Sequence, residues 1–383
     1  MKEYITIKNF GPLINIEELE IKQFTFFIGE SASGKSTLMK VVAMMRYLYK
    51  MANIRSYLRH SKITKTPFRM RLNTMIERQG MVKMFDKNSL IVYRVEINTG
   101  VSHEIRIENG KLNVPVIPKE DLVFRKVSFV SENRNITPTW AQKAWKNKGA
   151  TLGFYFHETN DDFGNASEGD KTIGLDHVGM RMSITHPKGK PTRYQIMPMD
   201  ERHASIELTE ASSGIQTSAP LVLIVGYFAK DFSFKDAFNR SVMSYLYETD
   251  NLSRFKAASE PTELPKVVDI HIEEPELCLF PDAQCKLVEK IIYMAKESNP
   301  DRTVNMIIAT HSPYILNYLN IVLNQKTDGR AKLTPADLAV YRLYEGESQN
   351  LVAKDDKGRD IVDSYDLSEA MGVIYNEFIK LSV

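Results

Sequence analysis

The chain opens on alternating apolar and polar residues. Tyr4 to Lys8 and Ile14 to Ile21 read as two strands parted by a Gly11-Pro12 turn. Phe24 to Ile28 is a short, mostly apolar run, the pattern of a buried strand, and it ends at Gly29. From Leu38 onward, LMKVVAMMRYLY predicts a helix with a broad apolar face. Leu90 to Ile97 and Glu104 to Ile107 look like strands. Met180 to Thr185, Arg193 to Met197 and Ser205 to Leu208 look like a meander, with a turn at Pro187 to Pro191. Asn160 to Lys171 is rich in Asn, Asp and Gly and predicts a loop. After Gly214 the apolar stretch predicts a helix to about Ala229. Val267 to Ile272 and Val304 to Ala309 read as buried strands, with a helix over Cys285 to Lys296 between them. Strands and helices alternating in this way predict an α/β fold with a mixed-sheet core, an antiparallel β-subdomain and an insertion lobe of helices and strands. The expected division is a core over 1–50 and 205–383 and an insertion over 51–204.

The bulk properties narrow the class. The 383 residues exceed the usual length of one compact domain. The chain is 43% hydrophobic and 26% charged, the balance of a globular protein. No apolar run has the length of a membrane-spanning helix, and the opening residues lack the apolar core of a signal peptide; a cytoplasmic location without a membrane is expected. Cys278 and Cys285 lie close together without a second ligand pair, so neither a metal site nor a disulfide is expected.

Net charge is only +2, but it is unevenly spread. No acidic residue occurs from Ser31 to Ile76, where Lys50, Arg55, Arg59, Lys62, Lys65, Arg69 and Arg71 accumulate among Tyr47, Tyr49, Tyr57 and Phe68. This 46–71 stretch is a candidate surface for DNA or RNA; a solvated helix face is the competing reading.

Four segments carry candidate chemistry. Gly29, Glu30, Ser31, Ala32, Ser33, Gly34, Lys35 and Ser36 match G-x-x-x-x-G-K-[ST] between a predicted strand and helix, with Thr37 next in line. In such a loop successive N–H groups converge on phosphate oxygens, Lys35 holds the β- and γ-phosphates, and the Ser36 hydroxyl ligates Mg²⁺. ATP with Mg²⁺ is therefore the expected ligand. The second segment, Val267 to Leu277, is an apolar strand ending in Glu273-Glu274. An acid here holds the metal shell and the next polarises the attacking water, which makes Glu273 the metal-side acid and Glu274 the general base. The third, Ile307 to Pro313, brings His311 to a strand end, one helix after the acidic strand, where it would contact the γ-phosphate. The fourth, Ser212-Ser213-Gly214-Ile215-Gln216, opens a helix; alone it would be a cap.

The order of P-loop, SSGIQ, IEEPEL and ATHSPYILN resembles the ABC-type ATPases of the SMC and OLD branch. Within that branch it looks most like the compact ATPases of bacterial anti-phage and toxin-like systems. The opening ITIKNFGPL and the run from Glu273 to Gln284 strengthen the likeness, which covers about 1–50 and 205–383. It implies that two chains sandwich two ATP molecules, with Ser212, Ser213, Gly214 and Gln216 of one chain closing the P-loop site of the other. It also implies a switch that controls a separate effector, a nuclease or a toxin. Phe129 to Arg134 is similar to the segment near the Q-loop of this branch, which would make Glu132 or Arg134 a sensor of metal or nucleotide; a plain strand end is the equal alternative. Cys278 and Phe280 replace histidines common in the branch. No long coiled coil is expected, and the chain leaves no room after His311 for an appended TOPRIM nuclease. The alternative readings are a repair or chromosome-associated ATPase acting directly on DNA and, more remotely, a transporter subunit. The latter fits poorly, because Gly214 and Glu273 are far apart and a strand-rich segment, not a helical lobe, separates P-loop from signature.

Overall fold

The computed structural model describes residues 1–63, 70–97, 100–142, 153–200, 204–249, 251–257, 263–325, 333–364, 373, 376–377 and 380. The chain begins with β1 (Lys2–Phe10), β2 (Leu13–Ile21) and β3 (Phe24–Ile28), followed by the long helix α1 (Lys35–His60). After the short helix α2 (Leu72–Arg78) come β4 (Leu90–Glu96), β5 (Ser102–Glu108), β6 (Lys111–Asn113) and β7 (Phe124–Val130). Helices α3 (Thr137–Gln142) and α4 (Phe154–Ala166) lead to a small antiparallel group, β8 (Lys171–Leu175), β9 (Met180–Thr185), β10 (Arg193–Pro198) and β11 (Ile206–Glu207). Helix α5 (Ser213–Gly226) and the short α6 (Phe234–Phe238) and α7 (Ser244–Glu248) precede β12 (Lys266–Glu273), α8 (Pro281–Lys296), β13 (Arg302–Thr310), α9 (Pro313–Asn324), β14 (Leu338–Tyr344) and β15 (Glu347–Asn350).

An eleven-stranded sheet runs in the order β6-β5-β4-β1-β2-β15-β14-β3-β13-β12-β7. Strands β14, β3, β13, β12 and β7 are parallel neighbours. Strands β1, β2, β4, β5 and β6 form an antiparallel half. Strands from 90–113 and 124–130 thus lie in the same sheet as the first 28 residues. The parallel strands are buried on both faces and alternate between two cores. Phe26, Ile308 and Val340 pack with α5, α8, α9 and the four-stranded sheet β11-β10-β9-β8; Phe27, Ile307 and Ala339 pack with α1 and the antiparallel half. The architecture is a mixed α/β fold with one large mixed sheet and a separate four-stranded antiparallel sheet.

Asn160 to Ala166, expected in a loop, is helical and completes α4. Tyr155, Phe156, Thr159, Asp162, Phe163 and Ala166 are buried at helical spacing. Asp162 lies in the core because β7 supplies partners: Ser128 Oγ and Lys126 Nζ donate to it at 2.5 and 2.9 Å. The predicted helix after Gly214 ends at Gly226, and a π-helical turn carries it to Asp231.

The α1 face of β12 is polar. Asp269, His271 and Glu273 point there, while Val268, Ile270 and Ile272 enter the opposite core. Arg46 of α1 pairs with Glu3 at 2.9 Å and Asp269 at 3.5 Å, and Arg125 of β7 pairs with Glu3 at 2.5 Å and Asp269 at 3.0 Å. Tyr93 donates to Glu3 at 2.7 Å, and Arg46 approaches His271 Nε2 at 3.3 Å. All of these side chains are buried. Burial alone would raise the Glu3 pKa, but Arg125 and Arg46 outweigh it and hold the carboxyl at about 2. Burial and the Arg46 charge hold His271 down to about 3.

Removing one member of such a cluster leaves an uncompensated charge in the core. Glu3→Gln should lower the unfolding free energy by about 3 kcal/mol, read from urea denaturation at neutral pH. The same experiment has a pH signature. The depressed carboxyl contributes stability above the ordinary value of 4.5, and this is lost as pH falls toward 2. The difference between wild type and Glu3→Gln should therefore shrink over that window. His271 has the same sign in a higher window: stability is full above 6.5 and falls from there toward 3. A His271→Gln variant should lose less stability than wild type between about pH 6.5 and 5.

Candidate functional site

The P-loop leaves β3 where no side chain fits. A Cβ on Gly29 would lie 2.5 Å from the Leu343 carbonyl oxygen of the adjoining β14. Gly34 has a φ of +99°, and a Cβ there would meet Leu13 at 2.9 Å. Glu30, Ser31 and Ala32 are exposed, and Ser33 is partly buried. Lys35 folds back over the loop and donates to the carbonyl oxygens of Gly29 and Glu30 at 2.8 and 2.7 Å. Burial lowers the Lys35 pKa, opposed by the Glu274 and Glu276 carboxylates. The Thr37 hydroxyl is buried against Met84 sulfur at 3.9 Å.

Register aligns the loop with the other candidates. Ile28 of β3 pairs with Thr310 of β13, and Ala309 of β13 pairs with Glu273 of β12. The P-loop, His311 and Glu274 therefore begin at the same end of three adjacent parallel strands. Helix α1 then brings Ser36 and Lys40 to Glu273. The Ser36 side chain is near enough to favour the charged form of the Glu273 carboxylate, and Lys40 Nζ lies 3.7 Å from its Oε1. Burial raises the Glu273 pKa; Lys40 opposes this and Glu132 adds to it.

Glu274 has a φ of +43°, which a non-glycine residue adopts only when its surroundings impose it. Two groups impose it here. Its N–H donates to the Ala309 carbonyl at 2.8 Å. Arg134 donates to the carbonyl oxygens of Glu273 and Glu274 at 2.7 and 2.6 Å. The Glu274 side chain is 32% exposed, and its Oε1 lies 3.6 Å from His311 Nε2.

Arg134 is fully buried and donates also to the carbonyls of Thr217 and Ser131. Its guanidinium is thus occupied by backbone, as a clamp, and burial lowers its pKa to about 10 against the pull of Glu276, Glu274 and Glu273. Thr217 sits in the first turns of α5, so the clamp joins the acidic strand end to the helix that Ser212 opens. A second link runs from Thr217 Oγ1 to the Leu277 carbonyl at 2.9 Å. A Cβ on Gly214 would meet the Cys278 carbonyl at 2.7 Å, so the turn and the 276–279 segment pack backbone to backbone. Ser212 and Ser213 are exposed. Gln216 is partly buried, and its side-chain nitrogen donates to the carbonyls of Thr209 and Ala211, both at 2.9 Å, shaping the turn.

One residue, Glu276, and the role of another, Arg134, escape the sequence reading. Glu276 accepts from the His311 backbone N–H at 2.6 Å. Arg134 acts through backbone carbonyls, which leave no trace in residue type. Of the basic stretch, Arg55, Arg59 and Lys62 are exposed, whereas Lys65, Phe68 and Arg69 lie outside the described residues. Among the described residues, no helix is long and apolar enough to cross a membrane.

No curated protein matches this chain. The SMC head domain from Thermotoga maritima aligns over 92% of this chain and 98% of its own, at 12% identity and a TM-score of 0.38. An ATP-binding cassette solved as a dimer in a post-hydrolysis state with ADP and Pi aligns over 91% and 99%, at 14% identity and a TM-score of 0.31. Likenesses this distant carry no functional detail. A family model is more direct: that of the AAA ATPase domain matches residues 125–316, half of the chain, from β7 through the acidic strand end and His311 into α9. With the P-loop ahead of the matched segment, this chain belongs to the AAA ATPase domain family and is an ATPase.

Proposed function

We propose that this ATPase is a nucleotide-driven switch that dimerises around ATP and controls a separate effector, a nuclease or a toxin, in defence against phage. The observation that carries the ATP site is the convergence of the P-loop, Glu273-Glu274 and His311 at one end of three neighbouring parallel strands. The effector and the defence role are supported by the resemblance in motif order alone.

In this reading the backbone of Gly29 to Ser36 and the Lys35 ammonium bind the phosphates. The Glu273 Oε1 atom is enclosed and has no hydrogen-bond partner among the described residues, and the Ser36 side chain favours the charged form of the same carboxylate. Two hard oxygen donors fit Mg²⁺, which takes few protein ligands and completes its shell with water and phosphate. Bound there, the ion neutralises charge on the phosphates. Glu274 accepts the proton of the attacking water, and His311, 3.6 Å from it, contacts the γ-phosphate. Ser212 and Ser213, exposed at the start of α5, close the site of a second chain.

A second reading has its own observation. Arg55 and Arg59 line a groove of about 310 Å³ along α1, faced by Val114 to Val116. Direct action on DNA would use this wall. Neutralising both arginines should then weaken DNA binding and flatten its salt dependence. Unchanged binding would remove this alternative.

The switch is tested with Glu274→Gln. It should bind ATP with Mg²⁺ normally, lower turnover by about 10²-fold or more, and run as a dimer by light scattering only with ATP. A monomer with bound ATP would overturn the dimer. Turnover at the wild-type rate would show Glu274 misassigned.

A further inference from the structure

Glu276 lies beside the catalytic segment and has no part in the mechanism above. We propose that Glu276 is a positioning residue for hydrolysis, whose carboxylate fixes the backbone of His311 so that its ring meets Glu274. This rests on the reading of Glu274 as base and His311 as its neighbour at the γ-phosphate.

Glu273 ends β12, and Glu274 turns the chain through a positive φ ahead of Pro275. Glu276 then returns toward β13. Its Oε1 accepts from the His311 N–H at 2.6 Å, and the Thr310 side chain is near enough to favour the charged carboxylate. The His311 N–H lies one residue beyond the last ladder position of β13. Glu276 thus provides the acceptor that a strand would otherwise supply. Across the gap, the Glu274 N–H donates to Ala309. The two segments therefore hold each other reciprocally, the Glu274 N–H just past β12 on Ala309 of β13 and the His311 N–H just past β13 on Glu276. The ring of His311 and the carboxylate of Glu274 hang from this pair of links, 3.6 Å apart.

The electrostatics fit a held carboxylate. Burial raises the Glu276 pKa, and the His311 N–H opposes it. Lys35 and Arg134 both lie within the influence of its charge. Its Oε2 is enclosed, with no hydrogen-bond partner among the described residues. Glu276 has a specific partner on one oxygen and is screened from solvent on the other, as a group that sets geometry needs to be. A displacement of about 1 Å in a group of this kind costs on the order of 10²-fold in rate.

The test uses the full-length chain and measures ATP turnover, ATP affinity and thermal midpoint together. Glu276→Ala should lower kcat about tenfold or more while KM moves less than about threefold. Glu276→Gln keeps an oxygen acceptor for the His311 N–H and should restore kcat to within about threefold of wild type. In a double-mutant cycle, Glu276→Ala should cost little further in a His311→Ala background, because its effect passes through the ring. Three results would overturn the proposal: an unchanged kcat in Glu276→Ala, full additivity in the cycle, or a Glu276→Gln as impaired as a lost general base. The last remains decisive even where Glu276→Ala fails to fold. Wild-type turnover in Glu274→Gln would instead bring down the underlying reading.

Discussion

A buried cluster of two arginines and two acids ties the nucleotide end of the molecule to its base. Arg46 and Arg125 bracket Glu3 and Asp269, and the four come from α1, β7, β1 and β12. Charges taken out of water are costly unless they meet partners at close range, and each member here does. The cluster therefore fixes the rotation of α1 and the register of β12 together. Both elements end in the site. Four residues along β12 from Asp269 stands Glu273, and the first residue of α1 is Lys35. A helix free to slide by one turn would separate Ser36 from Glu273; the Arg46 contacts prevent it.

Around that fixed pair the backbone is strained at one point. Glu274 holds a left-handed conformation because its N–H is tied to β13 and its carbonyl to Arg134. Strain of this sort costs about 1–3 kcal/mol and persists only where the surroundings supply it. Arg134 spends its donors on Glu273, Glu274, Ser131 and Thr217, so the same guanidinium that shapes the acidic strand end also anchors α5. The helix opened at Ser212 and the backbone of Glu274 are consequently joined through one unit, the Arg134 guanidinium. In the dimer we propose, that unit would touch one nucleotide through Glu274 and the other through Ser212.

Much of this was legible in the residues. The P-loop carries its own steric reason in Gly29 and Gly34, and the apolar runs at 24–28, 267–272 and 304–309 could hardly be other than buried strands. What stayed hidden depends on partners far along the chain. The polar alternation of Asp269, His271 and Glu273 inside a hydrophobic strand was visible, but its meaning needs Arg46 and Arg125. The stretch 160–166 looked like a loop because its Asn, Asp and Gly residues outweighed the spacing of Tyr155, Thr159, Phe163 and Ala166. Lys126 and Ser128 make room there for a buried Asp162. Arg134 and Glu276 act on backbone atoms, which no residue pattern reveals.

The central claim is that Lys35 and the acidic strand end form one ATP-hydrolysing site. Phosphate release from ATP with Mg²⁺, compared between wild type and Lys35→Ala, tests it most directly. The account predicts turnover in the wild type and its loss, together with ATP binding, in the variant. Equal phosphate release by both proteins would contradict it.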